Sequence, residues 1–213
     1  MPAAPAVVNG RPVGVLPEVL DEVRRGTPMR VTEVGEAILA RPCRAVGRPD
    51  RARWAPVVDD MFATMWVAEG VGLAANQVDL DVQLFVYDLL GADGTRHVGH
   101  VFDPVVEVMG AFGGLDEDLE GCLSVPGPHV PLARPAWVRL RGLDLDARPV
   151  AVEARDYLAR CLQHEVQHLQ GTLYVDLLDP ATRHRTIERS RRQRESVLAA
   201  REARAARRPR PAG

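Results

Sequence analysis

Between Ala55 and Glu69 the apolar residues Val58, Met61, Phe62, Met65 and Trp66 recur at three- and four-residue intervals. That spacing predicts a helix, stopped at Gly70. The period then shortens. Runs at Gln83 to Tyr87, His100 to Val108, Trp137 to Leu143 and Pro149 to Ala154 are β-type in composition and divided by Gly, Asp and Pro, so they predict short strands in small antiparallel sheets. Helical spacing returns at Tyr157, Leu158, Cys161, Leu162, Val166 and Leu169, with Asp156 as the expected N-cap and Gly171 as the stop. Asp179-Pro180 then reads as a cap followed by proline at the first helical position, opening a polar helix toward Arg208-Pro209. The pattern implies an α+β fold in which small antiparallel sheets pack around a central helix, followed by a C-terminal helix.

Length and composition narrow this picture. A chain of 213 residues fits one ordinary domain that buries its own core. Residues 1–30, rich in Ala, Pro, Val and Gly, read as an N-terminal extension with one amphipathic stretch, Pro17 to Arg25, whose Val19, Leu20 and Val23 share a face. Residues 31–178 read as the catalytic domain and 179–213 as a basic helix and tail. Cys43, Cys122 and Cys161 are an odd count without paired spacing, which argues against a secreted disulfide framework. With no long apolar run and no signal-type N-terminus, a cytoplasmic protein without a membrane partner is expected. All 27 basic residues are arginine. Eleven of them, against three glutamates, lie from Arg183 onward, a net +8 that leaves −10 for the rest of a chain whose formal charge is −2.

The chemistry concentrates in His164-Glu165-Val166-Gln167-His168. On a helix, residues i and i+4 share a face, so both imidazoles can reach one ion while Glu165 stands beside it as a base. A catalytic site of this kind needs a third protein ligand and an open position. The best candidate is Cys122, in Glu120-Gly121-Cys122-Leu123-Ser124, between a glycine and a Pro/Gly loop. Cys43 reads as a small buried hydrophobe and Cys161 as pocket lining.

Three separated blocks, Gly70 to Gln77 (GVGLAANQ), Glu120 to Ser124 (EGCLS) and Gln163 to Gly171 (QHEVQHLQG), resemble the peptide deformylase family in order and separation, over the chain from about Val34 to the C-terminal helix. The resemblance implies an enzyme that hydrolyses the formyl group from the N-terminal methionine of new proteins, releasing formate. It implies Cys122, His164 and His168 as metal ligands, Glu165 as general acid/base, and Gln77 with the Leu123 N–H as the oxyanion hole. Main-chain groups at Gly72 and Leu73 are expected to pair with an extended peptide, and Val71, Tyr157, Cys161 and the aliphatic part of Arg160 to wall the methionine pocket. One divalent ion is expected, Fe(II) by resemblance, although Zn(II), Ni(II) or Co(II) suit the same ligands. Three positions depart from the common pattern. Gln167 stands where many members have Asp, Asp103-Pro104-Val105 where many read Asn-Pro-Glu, and His129 where many carry Arg. Arg134 is a candidate partner for Glu120.

The arginine-rich end reads either as a solvated helix face or as a surface for ribosomal RNA, contacted through phosphates. No DNA partner is expected. Two rival readings stay open at this stage. A metalloprotease shares the His-Glu-x-x-His spacing, and a non-catalytic module could use the metal for structure alone.

Overall fold

The computed structural model describes residues 4–110 and 114–210. Residues 1–3 of the expected extension and 211–213 of the expected tail lie outside them. In chain order the elements are β1 (Ala6–Val8), β2 (Arg11–Val13), α1 (Asp21–Arg25), α2 (Arg51–Val67), β3 (Gly72–Ala74), β4 (Leu84–Leu90), β5 (Arg96–Val108), β6 (Leu115–Cys122), β7 (Val125–Pro135), β8 (Trp137–Leu143), β9 (Pro149–Arg155), α3 (Asp156–Leu169) and α4 (Pro180–Ala206). The α+β expectation holds. The runs expected in small sheets are joined in one seven-stranded sheet, in which β8 and β9 continue from β5, while β6 and β7 form a separate hairpin. Among the described residues all pairings are antiparallel except that of β1 with β5.

Helices cover both faces of the large sheet, and β4 records this in its side chains. Phe85, Tyr87 and Leu89 point into the cluster around Leu158, Leu162, Val166 and Leu169 of α3. Leu84 and Val86 point into the cluster around Trp54, Val58, Met61, Phe62 and Met65 of α2. Alternate residues facing two apolar layers make a strand read as a continuous apolar run.

The N-terminal segment is tied into this core, since β1 pairs with β5 and Leu20 and Val23 pack against α2. At the other end, α4 starts with Asp179 accepting from the Ala181 and Thr182 N–H groups, both at 3.0 Å. It then runs back over the body, through Arg194 to Glu33 at 2.6 Å and Arg204 to Glu69. Arg208 donates to the carbonyls of Val23 and Arg24 at 2.5 and 2.9 Å, a cation at the C-terminus of α1. Among the described residues no helix is long and apolar enough to cross a membrane.

Three local expectations are corrected. α2 starts at Arg51, four residues before Ala55, because Asp50 caps it by accepting from the Ala52 N–H at 3.0 Å. It ends in paired bonds from Glu69 N–H to Trp66 C=O and from Gly70 N–H to Met65 C=O, with the left-handed conformation taken by Glu69 rather than by Gly70. Asp156 is not a side-chain cap. Its N–H continues the sheet by donating to Ala136 C=O at 3.1 Å, and its φ of 50° turns the strand directly into α3.

Candidate active site

α3 and the β6–β7 turn meet beside β3, and three donor atoms converge there. His164 and His168, four residues apart on α3, bring their Nε2 atoms within 3.2 Å of each other, and the Cys122 Sγ lies 3.1 Å from His168 Nε2. The ligating atoms of the three residues all lie within 4.8 Å of one another. Both imidazoles are buried, and Cys122 is half-buried.

Ring nitrogens pointed at each other and at sulfur cannot all be satisfied by protons, whereas one cation satisfies the three lone pairs together. The electrostatics agree. Burial opposes charge on His164, yet Cys122 and Glu120 outweigh it and push the imidazole up to about 10. Burial and the charge of His164 hold His168 well below its usual range. The two rings thus hold one proton between them, and it is the convergence of the three donor atoms that fits a divalent ion.

Glu120 orients the nearer ring. Its carboxylate accepts from His164 Nδ1–H at 2.7 Å, from Arg134 Nε at 2.5 Å and from Arg160 Nη1 at 3.0 Å. Burial works to raise its pKa, but these partners, led by Arg134, hold it down at about 2. The Arg134 partnership suggested by the sequence is therefore present. Gln167 joins it as a neutral acceptor, its Oε1 taking Arg134 Nη1 at 2.8 Å.

Glu165 lies on the same helix with its carboxylate pressed against Gly72, where an added Cβ would come within 2.3 Å of Oε1. Burial raises its pKa to about 7, with the negative charge of Glu120 adding to the rise and the His164 charge opposing it. Its Oε2 is buried without a protein partner among the described residues. Gln77 is buried and fixed, since its Oε1 accepts from the Ala74 N–H at 2.8 Å while its Nε2 points at Ser124 Oγ and Cys122 Sγ at 3.2 and 3.6 Å.

A cleft of about 320 Å³ opens above these groups, lined by Gln77, Cys122, Leu123, His164 and Glu165. Val71, Gly72, Tyr157, Arg160 and Cys161 line it as well. Leu73 does not; its side chain is fully buried in the cluster of α2. His168 lies beneath the cleft floor at 0% exposure. The Arg160 guanidinium is turned away into bonds with Glu120, Leu132 C=O and Asp116. β3 is the last strand of its sheet, so one of its main-chain edges is unpaired beside the cleft. His129 is exposed at the rim, with its ring packed over Gly121. Asp103 takes a φ of 47° at the β5 bulge and accepts from the Val46 and Gly47 N–H groups, both at 2.7 Å. That departure thus serves as a turn clamp.

The sequence reading missed one wall. Val197 and Arg201 of α4 line the cleft. The inward face of α4 runs through Thr186, Ser190, Gln193, Val197 and Arg201, too polar to register as hydrophobic periodicity.

Comparison with known proteins bears on the same region. Residues 28–184 match the family model described as polypeptide deformylase. Peptide deformylase 1 of Streptomyces avermitilis is 46% identical over 160 residues, 75% of this chain and 74% of that protein. The peptide deformylase of Rhodococcus opacus is 44% identical over 158 residues, 71% of this chain and 79% of its own. Among solved structures, the peptide deformylase of Ehrlichia chaffeensis superposes with a TM-score of 0.71 at 29% identity, covering 81% of this chain and 99% of that one. That of Synechococcus elongatus in complex with actinonin gives 0.68 at 34% identity, covering 76% and 86%.

Proposed function

This chain belongs to the polypeptide deformylase family, whose members remove the N-formyl group from newly made peptides, and we propose the following assignment of its residues to that reaction. Cys122, His164 and His168 would hold the metal. When bound, a divalent ion supplies Lewis acidity, lowering the pKa of a water and polarising a carbonyl oxygen. Glu165, near neutrality by burial, takes the proton from the attacking water and returns it to the departing amine. The Gln77 amide and the Leu123 N–H stabilise the charge that gathers on the formyl oxygen. Formate and a free N-terminus leave.

The peptide follows from the cleft's shape. The free edge of β3 offers main-chain groups at Gly72 and Leu73 to an extended chain, as in strand addition, the Val71 carbonyl being already taken by the Asp88 N–H at 2.9 Å. Val71, Cys161, Tyr157 and the stem of Arg160 wall the methionine side chain. The observation that carries this assignment is the convergence of one sulfur and two Nε2 atoms beside a carboxylate seated on a glycine. A metalloprotease reading loses ground because the third donor is a thiol from a β-turn.

The ion we assign is Fe(II), with Zn(II), Ni(II) and Co(II) able to occupy the same donors after purification. The test is formate release from formyl-Met-Ala-Ser by protein prepared anaerobically with iron, with metal content measured on the same sample. Release that tracks metal content is expected. A fully loaded protein that releases no formate, or cleaves only internal peptide bonds, overturns the assignment.

We also propose a cytoplasmic protein that meets its substrate at the ribosome. Arg185, Arg189 and Arg192 are exposed at i, i+4 and i+7 on α4, while Arg194, Arg201, Arg204 and Arg208 are engaged with the body. That outward stripe suits the phosphates of ribosomal RNA. Cosedimentation with ribosomes that falls with salt, and is lost in the triple Gln variant of the stripe, supports this; unchanged cosedimentation refutes it.

A further inference from the structure

Arg201 reaches from α4 to the turn that bears the third donor. Its Nη2 donates to the Leu123 carbonyl at 3.0 Å, and its Nε and Nη1 are buried with no other partner among the described residues. The two neighbouring arginines that face the body have acidic partners, Arg194 with Glu33 and Arg204 with Glu69. Arg201 has none. Desolvating a guanidinium for a single neutral acceptor is costly, and the nearby charges of Cys122 and Glu33 offset that only in part.

That acceptor matters because Leu123 follows Cys122 directly and its side chain lies against Gly70, where an added Cβ would meet Cδ1 at 2.7 Å. The turn is thus gripped from β3's side by packing and from α4's side by a charge-assisted bond. We propose that Arg201 is a positioning residue for deformylation: it fixes the Leu123–Ser124 peptide and, through the Leu123 Cα, the adjoining Cys122–Leu123 peptide, whose N–H points at the developing oxyanion. The proposal rests on the oxyanion role given to Leu123 above. Arg201 lies beyond residues 28–184, outside the part of the chain that matches the family model, so α4 becomes a working wall of the site.

A donor used only in the transition state acts on kcat rather than on KM. Losing one oxyanion donor outright costs about 10²–10³-fold in kcat, and loosening one should cost about tenfold. The experiment compares full-length wild type with Arg201→Gln, Arg201→Lys and Arg194→Gln on formyl-Met-Ala-Ser, each normalised to bound metal. Arg201→Gln should lower kcat about tenfold with KM within about twofold. Arg201→Lys, which can still donate to Leu123, should recover most of the loss, and Arg194→Gln, which loosens α4 elsewhere, should match wild type. Should Arg201→Gln fail to fold, Arg201→Met keeps the stem's packing and takes its place. An unchanged kcat, equal losses in the Lys and Gln variants, or an equal loss in Arg194→Gln each overturns the proposal. Wild type that releases no formate overturns instead the reading on which it rests.

Discussion

Adding one methyl group at Gly72 tests the catalytic geometry most directly. A Cβ there would lie 2.3 Å from Glu165 Oε1, 2.8 Å from Cδ and 2.9 Å from Cγ. Non-bonded heavy atoms rest at roughly 3.5 Å, so the carboxylate must retreat by about 1 Å. Retreat is confined, because Glu165 is 3% exposed and β3 is held to β4 through the Gly72 and Tyr87 register. A misplacement of about 1 Å at a catalytic group costs about 10²-fold in rate. Gly72→Ala should therefore lower kcat/KM on formyl-Met-Ala-Ser about a hundredfold, read as formate by coupled oxidation. Bound metal should be unchanged, since the atoms nearest that Cβ belong to Glu165 and not to Cys122, His164 or His168. Activity within about twofold of wild type in a fully metallated Gly72→Ala would refute both the placement of Glu165 and its role.

Three other outcomes are expected. Glu165→Gln should retain metal yet lose about 10²–10⁴-fold in kcat, and turnover near wild type would remove the base from the mechanism. Glu120→Gln leaves Arg134 and Arg160 buried without their shared carboxylate; unfolding in urea should register a loss of about 3 kcal/mol, with metal affinity down at least about tenfold, and neither change would mean that the network is ornamental to the site. His100 supplies an acid-sensitive term away from the metal. Burial holds its imidazole at about 4, down from 6.5, while its Nε2 accepts from the Leu145 N–H at 3.1 Å. As pH falls below 6.5 the unfolded chain takes up this proton before the folded one. Stability should therefore drop between pH 6.5 and 4, by at most about 3 kcal/mol. His100→Gln should flatten that slope in urea titrations at pH 7 and 5, and an identical slope in the variant would exclude His100 as its source.

The parts legible in the sequence were those where one face of an element is apolar and the other polar, or where spacing itself is chemistry. α3 met both conditions, so its register and the shared face of His164 and His168 could be read directly. The β6–β7 hairpin met neither. In Leu115–Cys122 only Glu120 is buried, and Val125–Pro135 carries Pro126, Pro128, Pro131 and Pro135, residues that a two-stranded ribbon tolerates on its free edges. Its strand character comes from pairing, which no local pattern records. The same holds for Asp156, where continuing the sheet to Ala136 outweighs a cap, and for Glu69, where the paired C-terminal bonds of α2 impose a left-handed residue before the glycine that usually takes it. Arg201 was hidden for another reason: its partner is a carbonyl, and carbonyls leave no trace in side-chain patterns.

Gln167 bears on how the nearer imidazole is held. With an aspartate there, Arg134 would divide its charge between two carboxylates. Here Gln167 accepts as a neutral group, and the guanidinium charge of Arg134 acts on Glu120, joined by that of Arg160. Glu120 is consequently a weak base, held at about 2, that can accept from His164 Nδ1–H but not remove its proton. The Nδ1 proton is therefore retained and the ring is held with Nε2 facing Cys122 Sγ and His168 Nε2, the orientation in which Nε2 would bind an ion after releasing its own proton. A neutral Gln167 is thus compatible with an intact donor set, because the ring's orientation depends on Glu120, and Glu120 is held from both sides by arginines.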